Sequence, residues 1–191
     1  LKIDKLIVAT NENNILQRTI NTGEYKPEYV KPSFSPSMDI QVLSNFERLL
    51  FEVVGKDDKR VSSLMKDLSL KGFFELDKKE IEIIKKDFCV EKINNKETLS
   101  IIKEIDDKSN FILDPHTATA VGAAKKNNIL SDTVILGTAH PYKFLETVKM
   151  ATGKEVQTPN QLSEIEDKEE KYDILENDIS NIKNYILKIA L

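Results

Sequence analysis

The apolar positions along this chain follow two periods. Short continuous runs, Leu6-Ile7-Val8-Ala9-Thr10 and Val134-Ile135-Leu136, break off abruptly into polar residues. Runs of that length read as strands covered on both faces, as in a parallel sheet. The pattern therefore predicts strands over 5–10 and 133–138. Elsewhere apolar residues recur at spacings of three and four, the mark of amphipathic helices. Phe46, Leu49, Leu50, Val53 and Val54 form one such stripe, closed by Gly55. Further helices are expected over 15–20, 57–69, 78–87 (Ile81, Ile83 and Ile84 inward), 95–107 and 143–151. Leu175, Ile179, Ile182, Tyr185 and Ile186 give a last one. The segment 88–93 reads as a strand, and 70–76 stays open between strand and packing loop. Phe111-Ile112-Leu113 is expected to pack inward. The fold class is α/β, with parallel strands flanked by helices and more helix than strand.

Polar punctuation sharpens these boundaries. Ser44 and Glu47 have the spacing of a capping box. Asp114 reads as an N-cap with Pro115 at the first helical position, where its missing N–H is harmless. Ala118, Ala120, Gly122, Ala123 and Ala124 then let a helix backbone approach a neighbour closely. Residues 24–40 carry Pro27, Pro32 and Pro36, too many for a helix, and read as an ordered loop. Gly137 ends the 133–138 run, and Pro141 opens a helix four residues on. Ligands of open α/β sheets bind beyond the carboxyl ends of strands. The Thr138 hydroxyl, a free amide and a helix start converge there, a setting suited to an anion or a ring heteroatom.

Composition narrows the partners. The chain has 191 residues and a net charge of −4, so no basic field draws nucleic acid. No apolar run approaches membrane-spanning length. Cys89 is the single cysteine, which excludes a disulfide framework and fits a reducing cytoplasm. A metal hydrolase would need three or four converging ligands. Asp114, His116 and His140 are the sole Asp/His grouping, and the two histidines stand 24 positions apart. Asp114 has a ready role as a cap, and His116 and His140 sit at helix starts, where they line a pocket without binding metal. Arg48 and Lys143, near helix caps, could bind a phosphate, Arg as a fork and Lys as a point charge. Ordinary surface cations are the plainer reading of both.

Four segments change those odds: Ala9-Thr10-Asn11-Glu12-Asn13; Ser35-Pro36-Ser37-Met38-Asp39-Ile40 with Ser44-Asn45-Phe46-Glu47-Arg48-Leu49-Leu50; Asp114-Pro115-His116-Thr117-Ala118; and Gly137-Thr138-Ala139-His140-Pro141-Tyr142-Lys143-Phe144. In this order, over about residues 5–150, they resemble the C-terminal part of threonine synthase of the longer microbial and fungal kind. Ser37 and Tyr142 stand where that family commonly has alanine. The resemblance implies a pyridoxal-phosphate enzyme of the tryptophan-synthase-β fold type that converts O-phosphohomoserine and water to threonine and phosphate. It implies that Thr138 meets the pyridine nitrogen, and that Glu12, Asp114, His116 and His140 line the pocket. Asn11, Asn45, Arg48 and Lys143 are the candidates for substrate binding. It divides the chain into 1–29 and 111–153 of a large cofactor domain, a helical insertion over 30–110 and a C-terminal helical tail over 154–191.

The family's Schiff-base lysine and phosphate loop have no counterpart here, so the chain reads as a fragment, inactive by itself and open to self-association. The alternatives are a catalytically dead binding module that keeps the fold, and a metal hydrolase using Asp114, His116 and His140.

Overall fold

β1 (Leu6–Thr10) and β4 (Phe88–Lys92) form a parallel pair in the register Leu6↔Phe88 to Thr10↔Lys92. A computed structural model describes residues 3–129, 133–163, 165 and 168–190. The chain divides into two units, Leu1–Gln157 and Thr158–Leu191. In the first, β1 leads into α1 (Ile15–Thr22), which ends at Gly23 in the left-handed conformation. β2 (Glu24–Tyr25) pairs antiparallel with β3 (Phe74–Glu75). Between these two strands run α2 (Phe46–Val53) and α3 (Asp58–Lys71). α4 (Lys78–Asp87), β4, α5 (Asn95–Ser109), α6 (Pro115–Lys126) and α7 (Leu145–Thr152) complete the unit. The second unit carries α8 (Asn160–Ser163) and α9 (Ile179–Ala190). No described helix is long and apolar enough to cross a membrane.

Two apolar clusters hold the first unit. One gathers Ile15, Tyr25, Phe46, Leu50, Leu64, Phe74 and Ile84 from α1 to α4. Tyr25 is its hub: the ring stacks on Phe46 at 5.3 Å and on Phe74 at 4.7 Å between centroids. The second gathers Ile93, Ile101, Ile102, Leu113, Ala118 and Val121 around α5 and α6. Gly122 makes this contact close. A β-carbon there would lie 2.6 Å from Ile101 Cδ1 and 3.0 Å from Ile93 Cδ1. Gly122→Ala is expected to lower stability by about 1 kcal/mol, as overpacking outweighs the helix preference of alanine. A chemical-denaturation midpoint checks it.

Several expectations are corrected. Residues 133–138 form no strand, since no neighbour completes a hydrogen-bonded ladder with them among the described residues. Ile135 packs on the second cluster, whereas Val134 and Leu136 face solvent, 80% and 73% exposed. The run is thus covered on one face only. The Ser44 capping box does not form. The chain turns through a Phe46 N–H to Leu43 bond, and Asn45 is already in the helical region. An N-cap needs extended backbone to aim its side chain at the free amides. Capping boxes form instead at Asp77–Glu80 and Asn94–Glu97. Ile83 and Phe111 face outward, 40% and 62% exposed, because Ile81, Ile84 and Leu113 take the inward positions. Leu175 lies outside α9.

Candidate active site

The polar break after β1 builds one side of the site. Asn11 and Asn13 are buried where the strand ends. Asn11 Nδ2 donates to Ser33 Oγ and to Asp39 Oδ1, each at 2.7 Å. Its Oδ1 accepts from the Asn13 amide at 2.8 Å. Asn13 brackets Lys31, accepting from its N–H and donating to its carbonyl, both at 2.8 Å. Asp39 closes the loop on itself, accepting from Ser33 Oγ at 2.6 Å and from Ser33 N at 2.9 Å. The Phe34 amide donates to Asn95 Oδ1 at the start of α5. The proline-rich loop is therefore pinned to the end of β1, with a 3-10 turn at Pro36–Met38.

The other side is a 3-10 turn, Pro141–Phe144, running into α7. His140 caps it, its Nδ1 accepting from the Tyr142 amide at 3.2 Å. An open groove of about 500 Å³ lies between loop and turn. Ser33, Phe34 and Pro36 form one wall, and Tyr142, Lys143, Phe144 and the first turns of α7 form the other.

His116 sits at the start of α6. Asp114 caps that helix, its Oδ1 accepting from the His116 and Thr117 amides at 2.9 and 3.1 Å, and its Oδ2 from the Thr117 hydroxyl. His116 Nε2 accepts from the Ser37 amide at 3.2 Å, which requires a neutral ring. Its Nδ1 is buried, 3.3 Å from Asp114 Oδ1 but not aligned for a hydrogen bond. Burial pushes the His116 pKa below the ordinary histidine value, and the Asp114 carboxylate opposes that shift only in part.

A protein-family model described as "Threonine synthase, C-terminal" matches residues 117–186. The threonine synthase of Pseudomonas aeruginosa is 36% identical over 97% of this chain and 40% of its own length. The structure of "PLP bound Threonine synthase from Brucella melitensis" superposes with a TM-score of 0.85 and 37% identity, over 96% of this chain and 40% of that one. The yeast threonine synthase structure gives 0.84 and 34%, over 98% and 42%. The chain belongs to the threonine synthase family. It corresponds to that family's C-terminal region, and spans about 40% of the length of the relatives it matches.

Within this threonine synthase region the expected residues take different places. Asn11, Asp114 and His116 are buried in the polar framework behind the groove. Lys143 lines the groove, and His140 caps its turn. Thr138 is exposed just before that turn, and its hydroxyl makes no hydrogen bond among the described residues. Arg48 is exposed on α2 and Asn45 just before it, and neither contributes to the groove lining. Glu12 is bound to Lys92 at 3.0 Å, across the ends of β1 and β4.

Among the described residues no three His, Cys, Asp or Glu side chains gather as a metal site. Sequence reasoning passed over Asp39, Asn13 and Ser33. Their signal was the density of Asn, Ser and Asp in a long proline-rich loop, a composition that offers side-chain bonds to its own backbone.

Proposed function

We propose that these residues form the C-terminal part of a pyridoxal-phosphate-dependent threonine synthase acting on O-phospho-L-homoserine and water to give L-threonine and phosphate. The observation that carries this reading is Thr138. A neutral hydroxyl stands exposed beside a capped turn that lines a groove, in a chain whose Brucella melitensis relative is named as binding PLP.

The donor set fits the cofactor. When bound, pyridoxal phosphate supplies an electron sink for carbanion chemistry. The Thr138 hydroxyl would hold the ring nitrogen of the cofactor without keeping it protonated, as a carboxylate would. Lys143 offers a point charge to the substrate phosphate or carboxylate, with Arg48 on α2 and Asn45 just before it as further candidates outside the groove lining. Asn11 acts through the loop it holds, and Glu12, Asp114, His116 and His140 shape the pocket.

Residues 1–29 and 111–153 then belong to the large cofactor domain, 30–110 to a helix-rich insertion that lends β4 to the sheet, and 154–191 to a C-terminal tail. The backbone of 133–138, which joins no strand among the described residues, favours self-association of the isolated chain. A reducing cytoplasm suits the unpaired Cys89.

A chimaera tests the reading. Residues 1–191 replace the equivalent region of the Pseudomonas aeruginosa relative. The chimaera is expected to release phosphate from O-phosphohomoserine, and residues 1–191 alone to release none. Thr138→Val in the chimaera is expected to weaken cofactor retention about tenfold, the worth of one hydrogen bond of about 1.4 kcal/mol. A chimaera that folds and retains pyridoxal phosphate yet releases no phosphate overturns the reading.

A further inference from the structure

The two walls of the groove come from distant parts of the chain, and one side chain touches both. His116 Nε2 accepts from the backbone amide of Ser37, beside Pro36 of the loop wall. The same ring packs against Phe144 of the opposite wall, centroids 4.8 Å apart and planes inclined by 52°. The loop has other anchors at its near end, where Asp39, Asn11 and Asn13 hold Ser33 and Lys31. At Ser37, among the described residues, the bond to His116 is the one that reaches across to another element. Asp114 fixes the ring from below by capping the helix that carries it.

We propose that His116 is a positioning residue that sets the width of the groove, holding the Ser37 backbone on one wall and the Phe144 ring on the other, and that it does so only as the neutral imidazole. This deepens the threonine synthase reading, because the groove is the face that reading gives to an anionic substrate.

The physical basis is the direction of a single hydrogen bond. A neutral ring with its proton on Nδ1 presents a lone pair at Nε2 to the Ser37 N–H. A protonated ring presents N–H groups at both nitrogens. Two donors then face one another, and the Ser37 amide loses its acceptor. The charged groups around the ring do not all agree. Asp114 and Asp39 favour the imidazolium, and Lys143 on the turn disfavours it. Burial is the largest influence and keeps the ring neutral near pH 7. The folded ring has the lower pKa, so its unfolded counterpart binds the proton first as pH falls. The contribution of the neutral ring is therefore whole above the ordinary histidine pKa of 6.5 and is lost as pH falls through the depressed folded value.

Hydrogen exchange and NMR on residues 1–191 test this without turnover. As pH falls, the protection factor of the Ser37 amide is expected to drop at least tenfold. The drop should share its midpoint with the His116 ring titration, below pH 6.5, and the Phe144 ring signals should move at that midpoint. In His116→Gln the side-chain oxygen replaces Nε2 as an acceptor that does not titrate, so Ser37 stays protected throughout. In His116→Phe, which fills the volume without an acceptor, protection is lost at every pH.

In the chimaera, KM for O-phosphohomoserine is expected to rise about tenfold below the midpoint, with kcat little changed, and His116→Gln should flatten that profile. Ser37 protection that ignores the state of the His116 ring overturns the proposal, and so does a His116→Gln protein that keeps the pH dependence. If His116→Phe fails to fold, the wild-type titration and His116→Gln still decide. An inactive chimaera with the NMR pattern intact counts against the functional reading and leaves the positioning role standing.

Discussion

Tyr25→Ala is expected to destabilise the Leu1–Gln157 unit by about 4 kcal/mol, the range for emptying a buried aromatic site. Tyr25 is 2% exposed, and its ring lies between Phe46 and Phe74 with interplanar angles of 11° and 3°. Removing it separates α2 from the β2–β3 pair, and thereby loosens most of the first cluster. The hydroxyl adds a polar tie. It donates to the Gln41 carbonyl at 3.2 Å and accepts from the Leu43 amide at 3.0 Å. Tyr25→Phe keeps the stack and strands those two groups, for an expected loss of about 1–2 kcal/mol. Urea unfolding followed by circular dichroism measures both. A Tyr25→Ala midpoint equal to the wild type would show that the two helical halves do not depend on this ring.

Asp39→Ala is expected to remove about 2 kcal/mol and to free the loop over 31–39, since a half-buried network loses its charged acceptor. Three side-chain donors, from Asn11, Asn13 and Ser33, converge on Asp39 Oδ1 at 2.6–2.9 Å. The Ser33 amide takes Oδ2 at 2.9 Å. Water can reach part of this cluster and will replace part of the loss, which keeps the figure below that for a sealed ion pair. Asp39→Asn should be milder for stability but wrong in pattern, because its amide nitrogen would face a donor at one of these positions. The readout is amide exchange over 31–37 alongside the unfolding midpoint. The loop should open at lower denaturant than α3 or α6. Global unfolding at one common midpoint would mean that the network stabilises the whole unit rather than the loop.

The local signals in the chain were largely legible. Asp114 before Pro115 announced a cap, and the carboxylate takes two amides and a hydroxyl there. Gly55 announced the end of the Phe46–Val53 helix, and it adopts the left-handed backbone that glycine tolerates best. The stripe on α2 announced Phe46, Leu50 and Val53 as core. Ser44 misled, because a cap depends on where the chain enters the helix as well as on which residue stands there. The 133–138 run misled for another reason. A continuous apolar segment states that it can be buried, but a strand exists only with a bonding neighbour.

The candidate site was half legible. The order of four motifs was enough for the family to which the chain belongs. Position in the motif could not tell a groove-facing group from one behind it. Lys143 and Asn11 both looked like ligand contacts, yet one lines the groove and the other is buried with its amide engaged. Charge and residue type were the same evidence in both cases. What separated them was the path of the loop over residues 31–39.

Sequence by itself determined most of the helices, the Asp114 cap and the family, because periodicity, a cap beside a proline and motif order act over a few residues and need no knowledge of distant neighbours. Tertiary structure alone decided which polar groups meet. His116 bridges Ser37 and Phe144, and Asp39 gathers Asn11 and Asn13, across 26 or more positions of chain. A hydrogen bond requires a donor and an acceptor within about 3 Å, and that proximity is a property of the packed fold rather than of either residue.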